Sequence, residues 1–149
     1  MGASVTTFRR LVMALGRRRI LREESGAQIL EFAAASVIFF AVVFGTIEFG
    51  RGVYQYNMTS DLAQEGARWA AVHGSSSASP ATAAQLQTYV QGRSPGFAVT
   101  VTAEPVNPSA AAPGTTISVR VDSSFSPVTN LIPSATLNLT STAKMKVYR

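Results

Sequence analysis

The hydrophobic pattern of the chain changes twice, and its first part is almost purely apolar. Between Phe32 and Ile47 the sequence reads FAAASVIFFAVVFGTI and contains no charged residue. With residues 27–31 added, the run reaches the roughly 20 residues that a membrane-spanning helix needs. It is apolar on all sides, whereas the surface helix of a soluble protein is apolar on one side. We therefore predict a transmembrane helix.

The helical pattern continues beyond the apolar run. Residues 48–73 contain no proline, and small or apolar residues recur at spacings of three and four. The predicted face consists of Phe49, Val53, Tyr56, Ser60, Ala63, Ala67 and Ala70. Gly50, Gly52 and Gly66 mark places where another helix could approach closely. We predict one helix from about Ala27 to His73, because His73 is followed by a glycine suited to a helix end.

In the last third of the chain the period falls to two, which indicates half-buried strands. Apolar and polar residues alternate over residues 97–103, 116–122 and 136–148, and a short helix is predicted over residues 80–91. Residues 105–114 and 123–134 are rich in turn formers and are predicted to be loops. The predicted fold class is α+β: a long N-terminal transmembrane and amphipathic helix packed on a small three-stranded antiparallel sheet, in a lollipop arrangement. The amphipathic face of residues 48–73 is the expected cover for the sheet.

The charge is unevenly distributed. The formal net charge is +5, and six of the 13 Lys and Arg residues lie within the first 22 positions. The remainder is nearly neutral, which argues against a folded basic surface and predicts no nucleic-acid partner. By the positive-inside rule the arginine-rich end stays in the cytoplasm and the C-terminal part lies outside it.

These features predict three parts: a basic cytoplasmic leader at residues 1–26, a transmembrane helix with its amphipathic extension at 27–73, and an extracytoplasmic α+β head at 74–149. Two other interpretations are weaker. A cleaved secretory signal would be followed by a small-residue site such as Ala-x-Ala, which is missing after Ile47. A buried soluble helix would not carry a basic flank and be apolar all round.

Residues for catalysis are sparse. The chain has no cysteine and one histidine, His73, for which a role at the helix end is sufficient. No serine or threonine lies in a nucleophile motif, and the acidic residues are scattered. We predict that the protein is not an enzyme and has no catalytic residue, metal site or cofactor.

Glu31 is the only charged residue between Gly26 and Ile47. A carboxylate inside a bilayer is costly, so it needs a structural reason. It is either an acid that reaches back to the cytoplasmic interface, or part of a processing and assembly signal. Cleavage between Gly26 and Ala27 would create an amino terminus about 6 Å from Glu31 along the helix axis. That ammonium group and a carboxylate of an adjacent subunit would neutralise each other and favour assembly.

The arrangement of these residues resembles a known family. A basic leader, then a glycine followed five residues later by glutamate and an aromatic residue, looks like the prepilin-peptidase site of type IV pilins and pseudopilins. Within that group, residues 22–73 are similar to TadE-like pseudopilins of the tight-adherence (Flp) pilus. The motifs that carry the similarity are LEFA at 30–33, GTIEFGR at 45–51, YQYN at 54–57 and EGARWAAV at 65–72.

The resemblance implies a minor pilin of the bacterial inner membrane, single-pass, with its head in the periplasm or outside the cell after pilus assembly. Its implied partners are a prepilin peptidase, other pilins, the pilus assembly platform and the inner membrane. Gly26 and Ala27 correspond to the cleavage site, and Glu31 and Phe32 to the assembly positions. Met13 is an alternative start that would shorten the leader.

One alternative of a different class stays open. The protein could be an unprocessed single-pass envelope protein whose head binds a ligand or a partner. The mature N-terminus distinguishes the two, because processing predicts Ala27 as the first residue.

Overall fold

The computed structural model describes residues 4–128 and 136–148, with side chains from residue 26 onward. The chain divides into two compact units, Met1–Thr46 and Ile47–Arg149. Helix α1 covers Ser4–Val72. It ends within one residue of the predicted position but begins at Ser4 rather than near Ala27. The leader contains no proline and includes six arginines and three leucines, which favour a helix.

The N-terminal unit exposes its apolar side chains. From residue 26 to residue 46 every side chain is exposed except those of Ser36 and Val43, which are half-buried. The stretch Gly26–Val72 is long and apolar enough to cross a membrane, and its most apolar window is unburied. A helix long and apolar enough to cross a membrane is therefore present, as predicted.

The C-terminal unit is α+β, as predicted. After α1 come α2 (Ala83–Gln91), β1 (Val99–Glu104), a short 3-10 turn (Pro108–Ala110), β2 (Thr116–Phe125) and β3 (Leu137–Lys146). The strands form a three-stranded sheet in the order β1-β2-β3, and both pairings are antiparallel. The predicted sheet is confirmed.

Small residues of α1 let the helix lie close to the sheet. Ala63, Ala67 and Ala70 are fully buried against the strand residues of the core, which include Ile117, Val119 and Val121. Gly66 has the tightest environment. A Cβ at that position would lie 3.0 Å from the Val90 side chain on α2 and 3.3 Å from Val119 on β2. The predicted close approach of another helix at Gly66 is confirmed.

The other end of the predicted apolar face is not covered. Phe49, Val53 and Tyr56 are 73%, 42% and 52% exposed, although the pattern placed them against the sheet. At this level α1 turns a different face to β2: the Phe125 ring lies 3.7 Å from the position of a Cβ on Gly52, and Gln55 donates to the Ser124 carbonyl at 3.1 Å. The predicted apolar face is not the one in contact with β2 here, and that part of the prediction was wrong.

Two loop boundaries also differ. The predicted loop at 123–134 is strand over residues 123–125, and from residue 129 to 134 it lies outside the described residues. Helix α2 begins at Ala83 instead of Pro80. Thr82 caps it, because the Thr82 hydroxyl accepts from the Gln85 N–H while the Gln85 side chain accepts from the Thr82 N–H.

Candidate functional site

The predicted cleavage position is sterically open. Gly26 lies within α1, and a Cβ built on it meets no atom within 4 Å. Ala27 beside it is exposed. A side chain added at residue 26 would therefore not disturb the fold, and any effect of such a change on processing reports recognition of the glycine.

Glu31 is an isolated charge on an apolar surface. It is exposed, and its neighbours Ile29, Leu30 and Phe32 are 69%, 73% and 75% exposed. Within the described part of the chain, no donor or cation pairs with its carboxylate. In an apolar solvent this charge would need a partner from another molecule.

The hydroxyl groups of the apolar run differ from Glu31 in this respect. Ser36 donates to the Phe32 carbonyl at 2.7 Å, and Thr46 donates to the Val42 carbonyl at 2.8 Å. Both bonds join residues four apart, so each hydroxyl is satisfied by the helix itself. These two residues fit an apolar environment without a partner, and Glu31 does not.

Phe32 belongs to an exposed aromatic surface. It lines a shallow apolar hollow with Ala35, Ser36, Phe39 and Phe40. The Phe39 and Phe40 rings meet edge to face, with centroids 5.5 Å apart. The structure thus places Glu31 next to a patch that suits either acyl chains or another apolar helix.

Residues 26–68 match a protein-family model described as TadE-like protein. The chain carries a TadE-like segment. The resemblance to TadE-like proteins found in the sequence is thereby confirmed over these residues. The match begins at Gly26, and it includes Glu31 and Phe32. Neither the curated proteins nor the solved structures that were compared gave a match to this chain.

A polar seam lies between α1 and β2, and its residues on α1 belong to the TadE-like segment. The Thr59 hydroxyl and the Ser123 hydroxyl lie 2.8 Å apart and are both buried. Gln55 donates to the Ser124 carbonyl at 3.1 Å. The sequence could not reveal this seam, because Ser123 lies in a serine- and proline-rich stretch that was predicted to be a loop.

Glu48 fixes the chain that follows β2. Its carboxylate accepts from the Val128 N–H at 2.9 Å and pairs with Arg51 at 2.7 Å. This acid therefore has a structural role at the start of the C-terminal unit. It was predicted only as a scattered surface charge.

An apolar groove of about 360 Å³ lies beside the seam. Its wall on α1 consists of Phe49, Val53 and Tyr56 with Glu48 and Gly52, and its wall on the sheet consists of Phe125, Leu137 and Leu139. All of these residues belong to the C-terminal unit. The groove is open, and its wall on α1 contains the exposed residues of the predicted apolar face.

The far end of α1 is held to α2 by stacked rings. Trp69 lies between His73 and Tyr89, with ring centroids 4.2 and 4.8 Å away, and the Arg93 guanidinium lies over Tyr89 at 4.5 Å. Arg93 also forms an ion pair with Glu65. His73 Nδ1 is 2.8 Å from the Trp69 carbonyl, which agrees with its predicted role at the helix end. The histidine is thus part of a structural contact between helices.

Within the described residues, no three His, Asp or Glu side chains lie close enough to hold a metal ion. The carboxyl group of Asp122 has a shifted pKa. Hydrogen bonds from Arg120 and Thr140 hold the pKa of its carboxyl below the ordinary value. Asp122 lies on the outer side of the sheet with these two partners. Asp122 and Arg120 thus form a surface ion pair, and Thr140 donates a hydrogen bond to the carboxylate.

Proposed function

We propose that the protein is a minor pilin, or pseudopilin, with a structural role in assembling an adhesive tight-adherence (Flp) pilus. A prepilin peptidase would cleave it between Gly26 and Ala27. The observation that carries the proposal is Glu31. It is an exposed acid on an apolar helix, five residues after an unobstructed glycine, within the TadE-like segment.

The energetics of the membrane support an assembly role for Glu31. A carboxylate at the centre of a membrane helix costs about 2.5–3.5 kcal/mol on insertion scales. An ammonium group on a neighbouring subunit would remove most of that cost. Cleavage after Gly26 supplies such a group at the first residue of each mature subunit. The processed protein would then be more stable beside other pilins than alone in lipid.

The proposed topology follows from charge. The arginine-rich leader stays in the cytoplasm, the apolar helix crosses the inner membrane once, and the C-terminal unit lies outside the cytoplasm. The proposed partners are the prepilin peptidase, neighbouring pilins and the assembly platform. The C-terminal unit would contact other pilins or a surface and would perform no chemistry.

The deciding experiment is the N-terminal sequence and intact mass of the protein from native membranes, with and without an active prepilin peptidase. The proposal expects a chain that begins at Ala27 only when the peptidase is active. Gly26→Ala should block cleavage, whereas Gly45→Ala, at a position equally free of neighbours, should not. An uncut chain in both strains would support the unprocessed envelope protein instead.

A second experiment isolates the charge of Glu31. Glu31→Gln keeps the size of the side chain and removes the charge, and Glu104→Gln makes the same change at an exposed position of the C-terminal unit. We expect Glu31→Gln to be processed normally but to be lost from assembled pili, with Glu104→Gln unaffected. Normal incorporation of the processed Glu31→Gln protein would contradict the role assigned to the carboxylate.

A further inference from the structure

One side of the sheet carries no helix. Helix α1 packs on the inner side through Ala63 and Ala67, and α2 lies beside the edge at β1. The Gln87 amide donates to the Val99 carbonyl at 2.8 Å, and the Gln91 side-chain oxygen accepts from the Val99 N–H at 3.0 Å. In the described part of the chain, the outer-side residues of all three strands are exposed or half-buried, so this side faces solvent.

The outer side of the sheet consists of polar and charged residues. Alternation along each strand places on it Thr100, Thr102 and Glu104 of β1; Thr116, Ser118, Arg120, Asp122 and Ser124 of β2; and Asn138, Thr140, Thr142, Lys144 and Lys146 of β3. A membrane-binding surface combines basic residues with apolar ones that enter the lipid, and the core of a protein interface is apolar or aromatic. The strand residues listed above supply no apolar side chain, so their composition favours a hydrophilic partner.

The charges on the outer side are unequally compensated. Arg120 is paired with Asp122 at 3.0 Å. Lys144 and Lys146 are exposed at the end of β3, and neither bonds to a described residue. Glu104 lies on β1, two strand spacings or about 10 Å from Lys144. The two lysines are therefore available to an anion.

Tyr148 continues the row of the two lysines. Val147 is buried, and its backbone bonds to Gly114 and Thr115, so the residue after it lies on the outer side. Tyr148 is 76% exposed. Residues 144, 146 and 148 thus form a row of two ammonium groups and one aromatic ring, with about 7 Å between successive residues. We call them the lysine–tyrosine row.

The chemistry of this row matches a sugar polymer that carries carboxylates. An ammonium group binds a carboxylate through a charge-assisted hydrogen bond, and an exposed ring offers a flat surface to the C–H side of a pyranose. The hydroxyls of Thr116 and Ser118, which lie opposite Lys146 and Lys144, can donate to and accept from sugar hydroxyls. A nucleic acid would call for more cations along its phosphates and more rings for its bases.

We propose that the lysine–tyrosine row, with the neighbouring hydroxyls of β2, binds an acidic polysaccharide. This inference rests on the proposed location of the C-terminal unit outside the cytoplasm, and it gives the adhesive role a chemical target. It uses neither the cleavage after Gly26 nor the carboxylate of Glu31. An uncut chain in native membranes would refute the proposed processing and leave the binding result unaffected.

The test measures binding by the full chain in nanodiscs of phosphatidylcholine, a lipid without net charge. The probe is an oligomer of mannuronic acid, titrated at low salt and followed by isothermal calorimetry. The control is a glucose oligomer of the same length and linkage, which lacks carboxylates. We expect the acidic oligomer to bind at least about tenfold more tightly than the neutral one. Its affinity should fall as salt is added, because exposed charges are screened.

Variants separate the row from the overall charge of the protein. Lys144→Gln combined with Lys146→Gln removes both ammonium groups at exposed positions and should weaken binding about tenfold. Arg68→Gln removes an exposed cation of α1 that has no partner among the described residues, and it should bind as the wild type does. Tyr148→Phe keeps the ring and the affinity, whereas Tyr148→Leu should bind several-fold more weakly.

Four results would overturn the proposal. Equal binding of the acidic and neutral oligomers, or unchanged affinity in the double lysine variant, would remove the role of the ammonium groups. Inorganic polyphosphate that binds as tightly as the acidic sugar, with no effect of Tyr148→Leu, would show that the row recognises charge alone. Binding to phosphatidylglycerol vesicles that needs both lysines and displaces the acidic oligomer would assign the row to a membrane surface.

Discussion

Two stretches of helix α1 share a secondary structure and differ in the size and exposure of their side chains. Over residues 26–46 the side chains are mostly large, apolar and exposed, as with Phe39 at 63% and Val37 at 70%. Over residues 59–71 the buried positions are mostly small, as with Ala63 and Ala67. Large side chains suit a helix surrounded by acyl chains or by another helix, whereas small ones let a sheet approach the backbone. Side-chain size along one helix therefore records what each part of it contacts.

The largest effect should come from the same substitution made in the core of the C-terminal unit and on the exposed apolar run. Ile117→Ala empties a fully buried position and should lower the free energy of unfolding of the C-terminal unit by about 2–5 kcal/mol. Ile38→Ala, at a position 68% exposed, should change it by less than about 0.5 kcal/mol. Urea unfolding of the full chain in micelles measures both through Trp69, the only tryptophan. Equal losses would show that residue 38 lies in an environment as buried as that of residue 117.

Two glycines provide the next comparison. Gly66→Val would drive a side chain into Val90 and Val119 and should destabilise the unit by about 1–3 kcal/mol. Gly50→Ala meets no atom within 4 Å, and its better helix propensity should stabilise by up to about 1 kcal/mol. The same unfolding experiment gives both values. A stable Gly66→Val protein would mean that α2 can move away from α1.

Two threonine hydroxyl groups provide a further comparison between the two stretches of α1. Thr59→Val breaks the bond to Ser123 and should cost about 1 kcal/mol, because the Ser123 hydroxyl stays buried. Thr46→Val breaks a bond within the helix only and should leave the C-terminal unit unchanged. A double-mutant cycle of Thr59→Val with Ser123→Ala measures the coupling directly. Additive effects in that cycle would contradict a shared hydrogen bond.

The smallest effect is expected on the outer side of the sheet. Arg120 and Thr140 stabilise the charged form of Asp122, so its pKa is lower in the folded state than in the unfolded state. The stabilisation is present above the ordinary pKa of an aspartate and is lost as the pH falls through the lowered value. Asp122→Asn should cost about 0.2–1 kcal/mol at neutral pH and nothing in strong acid.

The control for that pH series is Asp61→Asn on the exposed side of α1. Unfolding curves of the two variants and the wild type are recorded from neutral to acidic pH. Only for Asp122→Asn should a stability difference from the wild type be present at neutral pH and disappear in acid. A constant difference between Asp122→Asn and the wild type at all pH values would rule out an electrostatic origin.

The sequence predicted the parts of the fold that depend on local periodicity. The apolar run, the amphipathic extension and three antiparallel strands follow from spacings of three to four and of two, and Gly66 was recognised as a close contact. Ser123 was missed because its role depends on Thr59, which lies far away in the chain. The uncovered residues Phe49, Val53 and Tyr56 were misplaced because the helix turns a neighbouring face, with Gly52, Gln55 and Thr59, toward β2.

The candidate site also has a part that the sequence alone predicts and a part that depends on tertiary structure. Gly26, Ala27, Glu31 and Phe32 were found as a linear motif, which needs no tertiary structure. The cover on the edge of β1 could not be found in this way, since a strand shows the same alternation whatever lies beside it. Only the structure places the Gln87 and Gln91 side chains against the backbone of residues 97–101.

The contacts of Gln87 and Gln91 also limit where another chain can pair with the sheet. Because the two side-chain amides bond to the outward backbone groups of Phe97, Val99 and Val101, the edge at β1 does not offer these groups to an additional strand. Helix α2 thereby protects this edge of the sheet against edge-to-edge aggregation.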